Sequence, residues 1–194
     1  MKKILFTVAA FAIAASSFAQ TWNLDAAHSK IKFTTKYLVI SDVDGEFKKL
    51  DGTFTSAKSD WSDLNANLSA DVNSITTGND MRDSHLKSDD FFNAEKYPSI
   101  SFKSKSVKNI GGSKLILSGI LTIRDVSKQV DIPVVYNGTV KDPFGNTKAG
   151  FKATGKISRK EFNLKYNNAA ATGEAVVGDV VEFTIDLVLI KPTS

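Results

Sequence analysis

The sequence predicts an all-β protein, an antiparallel barrel of about eight strands with one or two short helices beside it. Three observations carry this. Apolar and polar residues alternate with period two in segment after segment, turn signals stand between those segments, and one stretch alone breaks the alternation in a way that suits helix.

The clearest strand runs from Leu64 to Val72, where Leu64, Ala66, Leu68, Ala70 and Val72 alternate with Asn65, Asn67, Ser69 and Asp71. Successive strand side chains point to opposite faces, so this segment has one wet face and one dry face. In chain order the same phase appears in Ile31 and Phe33 against Lys32 and Thr34, and a strand also fits Val43 to Phe54. It returns in Ile100 and Phe102 against Ser101 and Lys103, and strands fit Lys114 to Ile123 and Val130 to Val140. The last two are Phe151, Ala153 and Ile157 against Lys152, Thr154 and Lys156, then Val181, Phe183, Ile185 and Leu187 against Glu182, Thr184 and Asp186. Turns are expected at Asp51-Gly52, Gly111-Gly112, Asn137-Gly138 and Asp142-Pro143-Phe144-Gly145-Asn146.

The exception lies between residues 79 and 95. Asn79 to Lys87 and Ser88 to Glu95 each begin with a capping residue and carry apolar side chains without strict alternation, which predicts two short helices ending before Tyr97-Pro98. Two adjacent aromatics on so short a helix would face different ways. One of Phe91 and Phe92 is therefore expected to close the core and the other to meet a ligand or cover an entrance.

Residues 1–19 read as a secretory signal peptide: Lys2 and Lys3, an apolar run from Ile4 to Ala15, then Ser17-Phe18-Ala19 with small residues at the two positions a signal peptidase reads. The run is too short for a membrane-spanning helix of about 20 residues. The mature chain is expected to start at Gln20, to lie in the periplasm, and to form one domain over residues 20–194. Without cysteine it can carry neither a lipoprotein anchor nor a disulfide, so packing alone must hold it in an oxidising compartment. Removing the signal leaves a net charge of +2 with both signs scattered, which is no nucleic-acid footprint, and no later apolar run reaches membrane length.

Little in the sequence points to catalysis or to metal. The two histidines, His28 and His85, have no ligand spacing around them, and no cofactor is expected. Arg82-Asp83-Ser84-His85 holds an acid, a hydroxyl and an imidazole together, but neighbours on a helix point in different directions and a working triad is assembled in space. Ion pairing or helix capping by Arg82 and Asp83, with His85 hydrogen-bonded near the barrel mouth, is the plainer expectation. The inward phase mixes small residues (Ala66, Ala70, Ser104, Gly119, Ala153, Gly155) with large ones (Phe33, Tyr37, Phe102, Phe183). A barrel of this size either fills with such side chains or holds one small ligand.

The chain resembles the YceI-like family of secreted, lipocalin-like polyisoprenoid-binding proteins over nearly all of its mature length. The marks are Trp22-Asn23-Leu24-Asp25 with His28-Ser29 and Phe33, Gly45-Glu46-Phe47, Asp51-Gly52, and Ser74 to Gly78. They continue through Arg82 to Ser88, Asp90-Phe91-Phe92, Tyr97 to Ser104, Gly119 to Arg124, Ser158 to Phe162, and Val177 to Val181. Three positions depart from the usual pattern: Tyr37 replaces a histidine, while Asp125 and Asn163 replace glycines and are residue types that accept positive φ. The resemblance implies an extended eight-stranded barrel whose long apolar cavity holds a polyisoprenoid, an isoprenoid quinone or another long-chain amphiphile, for transport or storage, and it implies no catalytic residue. The lining is expected to include Phe33, Tyr37, Leu68, Val72, Phe102, Leu117 and Ile157, with Met81, Leu86, Phe91 and Phe92 at the entrance and Arg82 and His85 near a polar head. A homodimer is compatible with this reading. An enzyme acting on a lipid or quinone through His85, and a structural or stress protein with a filled barrel, are the alternatives.

Overall fold

The computed structural model describes residues 19–191. The expected signal peptide cleavage after residue 19 lies at the edge of that range, and its charged and apolar parts lie outside the described residues.

The strands are β1 (Gln20–Leu24), β2 (Lys30–Tyr37), β3 (Ser41–Phe47), β4 (Leu50–Ser56), β5 (Asn65–Asp71) and β6 (Ile75–Thr76), then helix α1 (Asp80–Lys87). After it come β7 (Ser99–Gly111), β8 (Lys114–Ile123), β9 (Val126–Lys141), β10 (Thr147–Ser158) and β11 (Val177–Lys191). Eleven segments make eight staves, because β1 and β2 lie end to end along β11, β3 and β4 lie end to end along β2 and β1, and β5 and β6 do the same along β4 and β3. The remaining neighbours are β5–β7, β7–β8, β8–β9, β9–β10 and β10–β11, all antiparallel. Closure comes from β1 on β11, with Asn23 opposite Ile190 and Leu24 opposite Leu189. The result is an eight-stranded, closed, up-and-down antiparallel barrel.

Sequence periodicity finds the eight staves but not their breaks. The strand expected from Val43 to Phe54 is bent at Lys48-Lys49, and β1, with a single buried residue (Trp22), has too few positions to show a period. A larger correction concerns the second helix. Residues 88–95 form turns, because the carbonyls of Asp89, Asp90 and Phe91 are taken by groups distant in the chain and not by helical N–H groups. Nη1 of Arg124 donates to Asp89 O at 2.8 Å and to Phe91 O at 2.6 Å, while the N–H groups of Phe92, Asn93 and Ala94 fold back on the carbonyls of Leu86, Ser88 and Lys87.

Positive φ falls partly where the sequence suggests. Asn163 is left-handed at φ 58° and ends a 3₁₀ turn (Lys160–Phe162). In the β8–β9 hairpin, however, the left-handed residue is Arg124 (φ 54°), not Asp125. The two-residue turn thus carries its positive φ in first place, where glycine is the usual occupant. An arginine is held there by its own bonds to the 89–91 segment, and Nη2 adds an ion pair to Asp89 at 2.8 Å.

Candidate functional site

One end of the barrel is sealed by aromatic packing. Trp22 and Trp61, the chain's two tryptophans, meet with ring centroids 5.0 Å apart, and Trp61 stands edge-on to Phe151 at 4.8 Å with Tyr136 alongside at 5.8 Å. Phe54, Leu64, Leu115 and Leu189 complete this buried cluster. From it a cavity of about 200 Å³ runs up the barrel axis to the part-exposed Thr35, Val177 and Val181. A single water needs only about 10–15 Å³ on the same scale, so this is a chamber and not a packing defect. Thirty-one residues line it, and the side chains are hydrocarbon except for Thr35, Ser69 and Arg159.

Eight of the residues singled out from the sequence face this chamber: Phe33, Leu68, Leu86, Phe91, Phe92, Phe102, Leu117 and Ile157. Phe91 and Phe92 both do so, although neighbours on a short helix would face different ways. In turns, unlike a helix, adjacent side chains can converge: Phe91 stacks on Tyr166 at 5.1 Å while Phe92 meets Phe47 edge-on at 5.9 Å.

Five do not line it. Tyr37 is the last residue of β2 and stands beyond the wall, 43% exposed. Val72 is buried but begins a 3₁₀ turn (Val72–Ser74), so it leaves the alternation that β5 keeps up to Ala70. Met81 is 84% exposed on α1, because residues five apart on a helix, such as Met81 and Leu86, differ in direction by about 140° and Leu86 is the one turned inward. Arg82 points away as well. Its Nε donates to Thr77 Oγ1 at 2.7 Å and Nη2 to Thr77 O at 3.0 Å, which ties α1 to β6 through the intervening loop. His85 sits behind the lining: Nε2 is 2.9 Å from the Asp90 carboxylate, and its ring meets Phe91 and Tyr166 edge-on at 5.1 Å.

The acid, hydroxyl and imidazole of residues 83–85 do not converge. The Asp83 carboxylate accepts the Thr77 N–H at 2.8 Å and the Thr77 hydroxyl at 2.6 Å. Burial by itself would raise this carboxyl, but those hydrogen bonds, with Lys87 nearby, outweigh it and hold the group below its ordinary value. Asn79 caps α1 by accepting the Arg82 N–H at 3.0 Å.

Two arginines that carry no functional role in the sequence reading organise the open end. Arg159, buried at 3% exposure, donates from Nε to Gly178 O, from Nη1 to Leu164 O and Tyr166 O, and from Nη2 to Val177 O, all at 2.6–3.1 Å. It thereby shapes the β10–β11 connection into a collar. Burial lowers its pKa and the neighbouring Asp179 works against that. Arg124 does the same for the 89–91 segment. The signal for both was position, since each ends or follows a strand beside a segment with no regular structure of its own.

The same fold appears elsewhere. The YceI-like domain matches residues 22–189 of this chain. The chain belongs to the YceI-like family. Among the relatives of this YceI-like chain, a UPF0312 protein of Photorhabdus laumondii is 37% identical over 180 residues, covering 90% of this chain and 93% of that one. The crystal structure of BcnA from Burkholderia cenocepacia superposes with a TM-score of 0.74 at 25% identity, over 85% of this chain and 98% of its own. A domain from Saccharophagus degradans described as polyisoprenoid-binding superposes with a TM-score of 0.70 at 18% identity, over 89% and 99% of the two chains. Among the described residues, no helix is long and apolar enough to cross a membrane.

Proposed function

We propose that this YceI-like barrel binds the tail of a long-chain amphiphile, a polyisoprenoid or isoprenoid quinone, and carries or stores it in the periplasm after export. The observation that carries this is the character of the chamber. Apart from the hydroxyls of Thr35 and Ser69 it is hydrocarbon from the tryptophan seal to the rim, and its one charged lining residue, Arg159, turns its donors to backbone carbonyls. Such a surface rewards a chain of carbon and offers little to a buried charge. Each buried methylene contributes about 0.8 kcal/mol, so ten ordered carbons supply about 8 kcal/mol before entropic losses, near micromolar affinity. The description of the Saccharophagus degradans domain points the same way, while at 18% identity it lends the fold and not the ligand.

The chamber also weighs against a filled, purely structural barrel. The enzyme alternative loses its support in the geometry of His85, whose ring lies behind Phe91 and is engaged with Asp90. The test is organic extraction of protein purified from its own host, followed by mass spectrometry of both fractions. The expected result is one isoprenoid-type lipid in stoichiometric amount on a chain whose mass begins at Gln20. Protein with no extractable lipid, or one that converts an added quinone with loss on His85→Ala, would count against this reading.

A further inference from the structure

Two phenylalanines stand directly opposite one another across the β2–β11 seam, Phe33 on Phe183. Side chains so placed have Cβ atoms about 4.5–5.5 Å apart and ordinarily pack together. Here they lean away from each other. The outer end of the Phe33 ring lies over Gly45, its direct partner on β3, so closely that an alanine Cβ there would stand 2.2 Å from Cζ. The Phe183 ring lies in the same way over Gly155, its partner on β10, with 2.4 Å from Cζ to the same imaginary atom. One row therefore crosses four strands in the order Gly45, Phe33, Phe183, Gly155, with the rings parted over the central seam. On the far wall Phe102 uses Gly119 likewise, at 2.5 Å.

The seam between the parted rings continues above and below them. Thr35 lies opposite Val181 towards the rim and Ile31 opposite Ile185 towards the seal, and all six side chains line the chamber. We infer that the two glycines are recesses which hold the rings aside, and that the track they open along the β2–β11 seam selects a methyl-branched chain over a straight one. This deepens the proposed lipid-binding function and rests on it. A branch methyl widens a chain on one side at intervals. A bore narrowed by upright rings would still pass a straight chain and would reject the branches. The glycines thus act through the rings, as positioning residues for the side chains that touch the ligand.

The test compares two alcohols of equal main-chain length, geranylgeraniol with its methyl branches and hexadecan-1-ol without them, binding to delipidated protein. Gly45→Ala and Gly155→Ala each push a ring inward, and each is expected to weaken geranylgeraniol about tenfold or more, the usual scale for one misplaced methylene, while hexadecan-1-ol changes less than about threefold. Adding Phe33→Leu to Gly45→Ala, or Phe183→Leu to Gly155→Ala, removes the displaced ring and is expected to restore the branched alcohol. That rescue also keeps the test decisive if either single variant folds poorly. Equal loss for both alcohols, no loss for either, or no rescue overturns the inference while leaving lipid binding in place. Failure of the unmutated protein to bind either alcohol removes the lipid-binding reading, and the inference with it.

Discussion

Arg159 shows how much one side chain can decide. Among the described residues its guanidinium forms no direct ion pair and instead collects the carbonyls of residues 164, 166, 177 and 178, the two ends of the connection that frames the chamber. Hydrogen bonds to a charged group contribute about 1.5–3 kcal/mol each, and carbonyls left buried without a donor cost more than the bonds were worth. Arg159→Met is expected to lower the unfolding free energy by on the order of 3 kcal/mol or more in urea, and to make residues 163–176 cleavable by protease under native conditions. An unchanged midpoint and digestion pattern would show that the collar stands without it. Asp83 makes a different point at the same scale. Its carboxyl is held below the ordinary value in the folded chain, so its contribution is complete above the unfolded carboxyl pKa near 3.9 and disappears as pH falls through the lower folded value. Asp83→Asn should therefore cost on the order of 1 kcal/mol near pH 7, with the gap to the unmutated protein closing as pH drops below about 4. A gap that widens in acid would reverse the assignment.

Elements settle two further questions. Residues 79–95 carry cap signals for two helices, yet only α1 forms, because Arg124 on a distant hairpin claims the carbonyls that a second helix would use. The loss of that helix is what lets Phe91 and Phe92 both reach the chamber. At the β2–β3 turn the misfit is between residue and conformation. Leu38 and Val39 hold φ of 48° and 65°, which L residues with bulky side chains adopt at a cost of about 1–2 kcal/mol, and Val39 is 64% exposed. Val39→Gly gives up little packing there and relieves the strain, so it is expected to raise the melting temperature by about 2–4 °C, the shift that 1 kcal/mol produces in a chain of this size. A fall in melting temperature would mean that Val39 makes a contact worth more than its strain.

At the scale of the whole molecule, the barrel is packed at one end and hollow along the rest. That arrangement separates ligand binding from folding. Ala153 faces the chamber, so Ala153→Trp is expected to place its ring in the space a ligand tail would occupy, reducing bound lipid severalfold with a loss of stability under about 1 kcal/mol. Overpacking a filled core usually costs about 1–3 kcal/mol and displaces nothing. Calorimetric unfolding alongside lipid extraction from the same preparation distinguishes the two, and heavy destabilisation with unchanged lipid would argue that the chamber is not the binding site.

The sequence by itself determined the fold class and most of the walls. Alternation is a local property of the chain, so the inward set Phe33, Leu68, Phe102 and Ile157 could be picked out from period alone. It failed at Val72 and Tyr37, where a strand ends or a wall stops, because period carries no information about where an element leaves the sheet; Met81, expected at the entrance and not from alternation, lies on the outer side of α1. The tertiary structure decided whatever depends on partners far apart in the chain. Among these are the carbonyls gathered by Arg124 and Arg159, the tryptophan seal, and the tilt of Phe33 and Phe183. A ring can lean aside only if the strand next to it, brought there by closure of the barrel, has a glycine at the same level. Whether the inward residues fill the barrel or leave a chamber is decided by such cross-strand fits, since volume inside a closed sheet belongs to all eight staves together and to no segment of sequence.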